Sequence, residues 1–340
     1  MSRRVTLATV AEALGVSPMT VSNAYNRPEK LSAELRRHIL ATAAELGYPG
    51  PHATARSLRR GRSGALGVVL GEALPYAFED LGAVEFLRGF ARGSAGAGVA
   101  LELLPVTGDA QDAAHVLAAV VDGFAIFALP EGHSLVAAVE GRGLPVVTHG
   151  SPVLAGRPFV GIDDAAAARA VADHLRDLGH RRVAAISFPL GYPRRDGAVA
   201  LDAPASHRVT RERLRGFAGT ATTAFEVSLN ERGAGEAAAG ALLDGPAPPT
   251  ALLCMSDELA LGALTALRAR GLSVPGDVSV TGWDDRPEAA RADPPLTTIR
   301  QSLREQGAAV AELLVSGADR PERRLEPWQL VVRASTAPPP

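Results

Sequence analysis

The chain has 340 residues, enough for two or three domains, and 46% of them are hydrophobic, ample for buried cores. A single cysteine, Cys254, excludes an intrachain disulfide and a cysteine-cluster metal site, and apolar runs never reach the roughly 18 residues a membrane span needs. The net charge of −2 conceals an asymmetry: residues 1–62 hold ten Lys/Arg against four Asp/Glu, a balance of +6, so the remainder carries −8. A basic head on an acidic body is the distribution of a nucleic-acid-binding module joined to a module with another task.

Leu7, Val10, Ala11 and Leu14 recur at helical spacing, and Gly15 follows as the stop. Ser17 stands where an N-cap belongs, and Pro18 takes the first helical position, where a missing N–H costs nothing. Val21, Ala24 and Tyr25 form the next apolar stripe, leaving Thr20, Ser22, Asn23 and Asn26 on the other face. Two short helices joined by a glycine turn, the second rich in small hydrogen-bonding side chains, suit insertion into a DNA major groove. A third helix is predicted from Ser32 to Gly47, after which Pro49-Gly50-Pro51 breaks the chain. Residues 53–60 predict a short basic helix, and Gly61 to Gly64 a link. From Ala65 onward apolar strands alternate with helices. Strands are predicted at 65–70, 99–104, 123–129 and 145–148, and again at 182–187, 225–228, 250–255 and 278–283. Two such series imply two subdomains, each a parallel sheet covered on both faces.

The segment Thr-Leu-x-x-Val-Ala-x-x-Leu-Gly-Val-Ser-x-x-Thr-Val-Ser-x-x-x-Asn, beginning at Thr6, resembles the lactose-repressor (LacI/GalR) family of bacterial regulators. The resemblance continues through Leu31-Ser32, Glu45-Leu46-Gly47-Tyr48 and Ala55-Arg56-Ser57-Leu58. It resumes at Val274-Pro-Gly-Asp-Val-Ser-Val-Thr-Gly-Trp-Asp-Asp285 and Pro294-Pro-Leu-Thr-Thr-Ile299. It implies an α/β chain: an N-terminal all-α helix-turn-helix domain followed by a two-subdomain, parallel-sheet, periplasmic-binding-protein-like core. The DNA-binding domain and hinge would occupy 1–62, with the hinge at about 50–62. The first subdomain would take 65–160 plus about 296–325, and the second 161–295 plus about 326–335.

By resemblance, Pro18, Met19 and Asn23 point toward base edges. Asn23 has an amide suited to a two-pronged contact with adenine, whereas Pro18 and Met19 offer apolar contact. Thr6, Ser17, Thr20, Ser22 and Asn26 read as phosphate anchors, with capping as the competing role, and Leu7 joins this DNA-binding set beside Thr6. The resemblance also casts Leu58 as a minor-groove wedge, with Arg56, Arg59 and Arg60 supplying phosphate contacts. The path from Tyr48 to Leu58 is one residue longer than the family's usual spacing.

Ligands of paired parallel-sheet subdomains bind at the carboxyl ends of strands. The loop after the first strand carries Tyr76 and Phe78 in a chain with only 4% aromatics, and Trp283-Asp284-Asp285 follows the 278–283 strand. By resemblance, Arg213, in an Arg-x-x-Gly-aromatic pattern, and Asp284 hold the effector. With Tyr76, Phe78 and Trp283 they make good chemistry for a sugar, the rings stacking its C–H face. Burial as core is the other reading for the three aromatics, and Asp257 reads as a helix cap. Residues 189–207 form a long connection; such segments are functional or disordered. Tyr192, Arg194, Arg195 and His207 are its candidates for ligand selectivity.

An enzyme is the rival class. Gly93-x-x-Gly96-x-Gly98 ends a helix rather than opening one, and the Asp284-Asp285 pair lacks a nucleophile or histidine partner. No catalytic residue, cofactor or metal is expected. The expectation is a cytoplasmic DNA-binding regulator, a repressor in function. It would act as a homodimer on an inverted-repeat, double-stranded operator, controlled by a small-molecule effector of the carbohydrate class.

Overall fold

The computed structural model describes residues 5–50, 62–109, 111–317 and 320–340. It divides into two compact units, one up to Gly64 and one from Ala65 onward. The expected hinge residues Arg56 and Leu58 fall outside the described residues.

In the first unit α1 (Leu7–Leu14), α2 (Pro18–Asn26) and α3 (Ala33–Glu45) enclose a small core of Val10, Ala11, Val21, Ala24, Ile39, Ala43 and Tyr48. Thr6 caps α1 by accepting the Thr9 amide, while the Thr9 hydroxyl accepts the Thr6 amide. Gly15 ends that helix at a φ of 64°, where a side chain would be strained. The Ser17 hydroxyl accepts the Thr20 amide, and the Ser32 hydroxyl caps α3 through the Leu35 amide. The turn between α1 and α2 is therefore fixed by local chemistry before any packing.

In the second unit the chain runs β1 (Ala65–Leu70), α4 (Leu74–Glu79), α5 (Leu81–Ala95), β2 (Ala100–Leu104), α6 (Gln111–Ala118), β3 (Phe124–Phe127), α7 (Ser134–Glu140), β4 (Val146–His149) and β5 (Phe159–Gly161). It continues through α8 (Asp164–Asp177), β6 (Val183–Ser187), β7 (Gly197–Val199), α9 (Arg208–Phe217), β8 (Thr223–Glu226), α10 (Arg232–Leu243), β9 (Ala251–Cys254), α11 (Asp257–Ala269) and β10 (Ser279–Asp284). The last elements are α12 (Pro287–Arg291), β11 (Thr297–Arg300), α13 (Leu303–Ser316), β12 (Arg323–Leu325) and β13 (Gln329–Val331).

One sheet has the order β12-β5-β4-β3-β1-β2 and is parallel throughout. The other, β13-β11-β10-β9-β6-β8-β7, is parallel except for its two antiparallel edge strands. The inner strands are buried on both faces, as helix-covered parallel sheets require. The chain passes between sheets three times: after β5, after β11 and after β12. The expected return at about 296 comes later, because Thr297–Arg300 still pairs with β10, burying Ile299 in the second subdomain's core. The return is then made by α13, whose backbone meets α5 at Gly89. A Cβ on Gly89 would lie 1.8 Å from the Arg304 carbonyl oxygen.

The 189–207 connection is ordered. It forms the edge strand β7, and its base is pinned by Glu226, which accepts the Leu190 amide at 2.7 Å and pairs with Arg195 at 3.2 Å.

Candidate functional site

On the helix-turn-helix unit, Ser17, Pro18 and Met19 stand exposed at the start of α2, Met19 at 64%. Thr20 and Asn23 are half-buried on the same helix. Two expected contacts are placed differently. Ser22 is buried, and Asn26 spends its amide on the Ser22 carbonyl and hydroxyl four residues back, closing the end of the helix. Leu7 is half-buried against the core, and Thr6 is committed to capping through its hydroxyl.

In the second unit, loops at the carboxyl ends of the strands enclose a cavity of about 160 Å³ between the two sheets. That is room on the order of ten waters. Its floor is a buried triad of charged groups. Asp164, at the start of α8, accepts from Arg213 Nε at 3.0 Å and from Arg208 Nη1 at 3.3 Å, all three side chains being buried. Arg213 also donates to the Met255 carbonyl at 2.6 Å, and its guanidinium lies 3.8 Å from the centre of the Trp283 ring. Arg213 is thereby held rigid, sharing the Asp164 carboxylate with Arg208 and supported on its flat face.

A chain of hydrogen bonds crosses the cavity. His149, at the end of β4, bonds through Nε2 to Gln306 Oε1 at 2.8 Å, and Gln306 donates to Gln301 at 3.1 Å. Gln301 in turn donates to Asp284 Oδ1 at 2.7 Å. Since Gln306 uses its amide nitrogen on Gln301, its oxygen accepts from His149 and the proton sits on Nε2. Nδ1 is left as a bare acceptor with no protein partner. Burial pushes His149 down to about 4, so the ring is neutral near pH 7. Burial pushes the Asp284 carboxyl up to about 6, opposed by the Arg213 charge and the Gln301 bond. Asp80 is also raised by burial; it caps α5 through the Gly82 amide and accepts from Asn230.

Asp284 and Asp285 adopt φ of 105° and 52°, and Ala128, which also lines the cavity, a φ of 55°. These are the only left-handed non-glycine residues among those described, and all sit at or just beyond the ends of β3 and β10. Such strain costs of order 1–3 kcal/mol per residue and concentrates where geometry serves a site.

Of the expected effector residues, Tyr76, Arg213 and Asp284 line the cavity. Tyr76 accepts the Asn230 amide at 2.7 Å across the cleft. Phe78 does not line it: two residues on along α4 it faces the opposite way and is 59% exposed. Trp283 is wholly buried beneath Arg213, because strand alternation sends it to the sheet face while Asp284 takes the edge. Asp257 is not the cap, a role Ser256 fills; it accepts from Thr298 and the Arg286 amide. Burial and the neighbouring Asp284 charge push Asp257 up to about 8. Sequence reasoning missed Asp164, His149, Asn230 and Gln301. Each stands at or just past a strand end, the one signal that marked them.

A basic helical head and a two-sheet body with a cleft that sets charged and hydrogen-bonding groups in an apolar lining define a DNA-binding regulator with a ligand-sensing core. The family described as "Bacterial regulatory proteins, lacI family" matches residues 6–49, and the "Periplasmic binding protein-like domain" matches residues 172–336. The HTH-type transcriptional regulator IpsA of Corynebacterium glutamicum is 39% identical, over 94% of each chain. A lac repressor dimer bound to operator and an anti-inducer is 26% identical with a TM-score of 0.77, over 98% of this chain and 100% of that one. A CelR–cellobiose complex is 27% identical with a TM-score of 0.68 over the same shares. The chain belongs to the LacI family of transcriptional regulators.

Proposed function

We propose that this regulator is a repressor that binds an inverted-repeat operator as a homodimer and is controlled by an uncharged, hydroxyl-rich effector of the sugar class. The observation that carries the effector reading is the state of the cleft's charges. Arg213 and Arg208 are both spent on Asp164, and Arg194 on Glu72 at 2.6 Å. Each of these three arginines is engaged with a carboxylate, so a phosphate would have to compete for it. Beside them stand the acceptors Asp284, Asp80 and the bare Nδ1 of His149, and a donor without a partner, the Arg194 Nε–H. Hydroxyl groups supply donors to such a wall, whereas phosphate would bring further negative charge to buried carboxylates. The cellobiose in the CelR complex accords with this chemistry. Arg213, Asp284, Tyr76 and Asn230 are assigned as direct contacts, and Ser17, Pro18, Met19, Thr20 and Asn23 as the DNA-facing set.

The test pairs a thermal-shift screen of neutral sugars and polyols with their phosphorylated forms, since a specific ligand stabilises the fold by mass action. Compounds that stabilise the chain are then added to an operator duplex selected from a random library. The expected result is stabilisation by a neutral compound that changes operator affinity, with DNA binding that weakens steeply as salt rises. Stabilisation by phosphorylated compounds alone, or a ligand without effect on DNA binding, overturns the reading.

A further inference from the structure

We infer that the segment from Pro189 to His207 is a strap that holds the cleft closed, and that the Arg194–Glu72 ion pair is its clasp. The base of the segment belongs to the second subdomain: Glu226, 1% exposed, accepts the Leu190 amide, and Ser206 donates its amide back to the Leu190 carbonyl at 2.7 Å. From that base the segment reaches across to the first subdomain at both of its ends.

At one end Arg194 Nη2 donates to Glu72 Oε1 at 2.6 Å and to the Gly71 carbonyl at 3.3 Å, and the Tyr192 hydroxyl donates to the same carbonyl at 3.1 Å. At the other end Ser206 accepts the Glu131 amide at 2.7 Å, and Arg211, one turn into α9, forms a two-pronged pair with Glu131 at 2.6 and 3.0 Å. Gly71 and Glu131 follow β1 and β3, so the strap grips the same rim of the first sheet that lines the cavity.

The clasp is shielded in a way surface pairs are not. The Arg194 and Glu72 side chains are 15% and 19% exposed, and the Arg194 guanidinium rests 5.2 Å from the Tyr192 ring centre. Breaking a shielded pair by changing one partner strands the other charge, which costs more than losing an exposed pair. The three passages of the chain between sheets act as the hinge, and the strap supplies contacts that exist only when the subdomains meet. This holds whatever the effector is.

The experiment uses the full chain with Glu79→Cys and Glu231→Cys, exposed positions on the first and second subdomains, carrying spin labels; Cys254 is buried and does not label. Distances between labels are read by pulsed electron resonance, without ligand or DNA. The expected result is one short, narrow distribution for the parent. Either Glu72→Arg or Arg194→Glu should give a longer, broader one, and the double reversal should return to the parent's. Melting curves confirm that each variant is folded, and Glu72→Gln provides a milder break. Single variants that keep the parent's distribution, or a double reversal that fails to restore it, overturn the strap. Neither result bears on the effector or on DNA binding, so the two readings fail separately.

Discussion

At the level of single residues, Asp284 and Arg213 show how environment assigns a role. Asp284 is raised to about 6 by burial, and a ligand hydroxyl bonds best to its ionised form. Effector affinity should therefore be constant above about pH 6 and fall as the pH drops below it; Asp284→Asn should remove that inflection in a calorimetric pH series. Stability of the free protein runs the other way. A carboxyl whose folded value exceeds its unfolded one holds a proton the unfolded chain has lost, so its contribution declines as pH rises from about 4 to 6. Arg213→Ala should cost effector affinity about 1–3 kcal/mol, the order for losing a buried charged partner. Operator binding should persist, because Asp164 keeps Arg208. Equal effector affinity for parent and variant in calorimetry would remove Arg213 from the site. Sequence alone could nominate Arg213 and Asp284 because they sit in motif positions. It misplaced Phe78 and Trp283 because aromatic content says nothing about which side of a helix or strand a ring takes. Ser22 was misplaced for a related reason: in a nine-residue helix a small polar side chain can face inward, since Asn26 satisfies it.

At the level of elements, the legible parts were those with strong local signals. The caps at Ser17 and Ser32, the glycine stop at Gly15 and the eight strands β1–β4, β6 and β8–β10 follow from residue type and periodicity. Short strands such as β5, β7, β12 and β13 have three residues each and no pattern of their own; pairing partners distant in sequence create them. Helix packing was likewise invisible in the sequence, although its glycines were in plain view. Gly89 and Gly307 let α5 and α13 approach until a Cβ on Gly307 would lie 2.1 Å from the Phe86 carbonyl oxygen. Gly89→Ala must push the two backbones apart, and overpacking of this kind typically costs about 1–3 kcal/mol. Thermal unfolding should register a drop of several degrees for a unit of this size. Gly96→Ala, with nothing near its Cβ position, is the control and should melt close to the parent. A Gly89→Ala chain as stable as the parent would show that the helices can separate freely.

At the level of the whole molecule, the +6 head and −8 body place two binding functions on one chain, and their value lies in the coupling between them. One helix-turn-helix reads a half-site, so a twofold dimer predicts an operator with inverted symmetry. Effector control then requires that effector distinguish the DNA-bound from the free dimer. Linkage makes the effect mutual: whatever factor the effector applies to operator affinity, the operator must apply to effector affinity. Couplings of this kind are typically about 1–3 kcal/mol, a five- to 150-fold change. Calorimetric titration of the stabilising sugar into the free protein and into its operator complex should give affinities that differ by the factor seen for DNA in the reverse experiment. Sedimentation of the complex should give two chains per duplex. The strap adds a condition, because Arg194→Glu favours an open cleft before ligand arrives. In that variant part of the effector's binding energy goes into closing the cleft, so its effector affinity should fall below the parent's with and without operator. Equal effector affinities in the presence and absence of operator, in a parent chain that binds both, would mean that the two halves of the molecule share a polypeptide and no allosteric equilibrium.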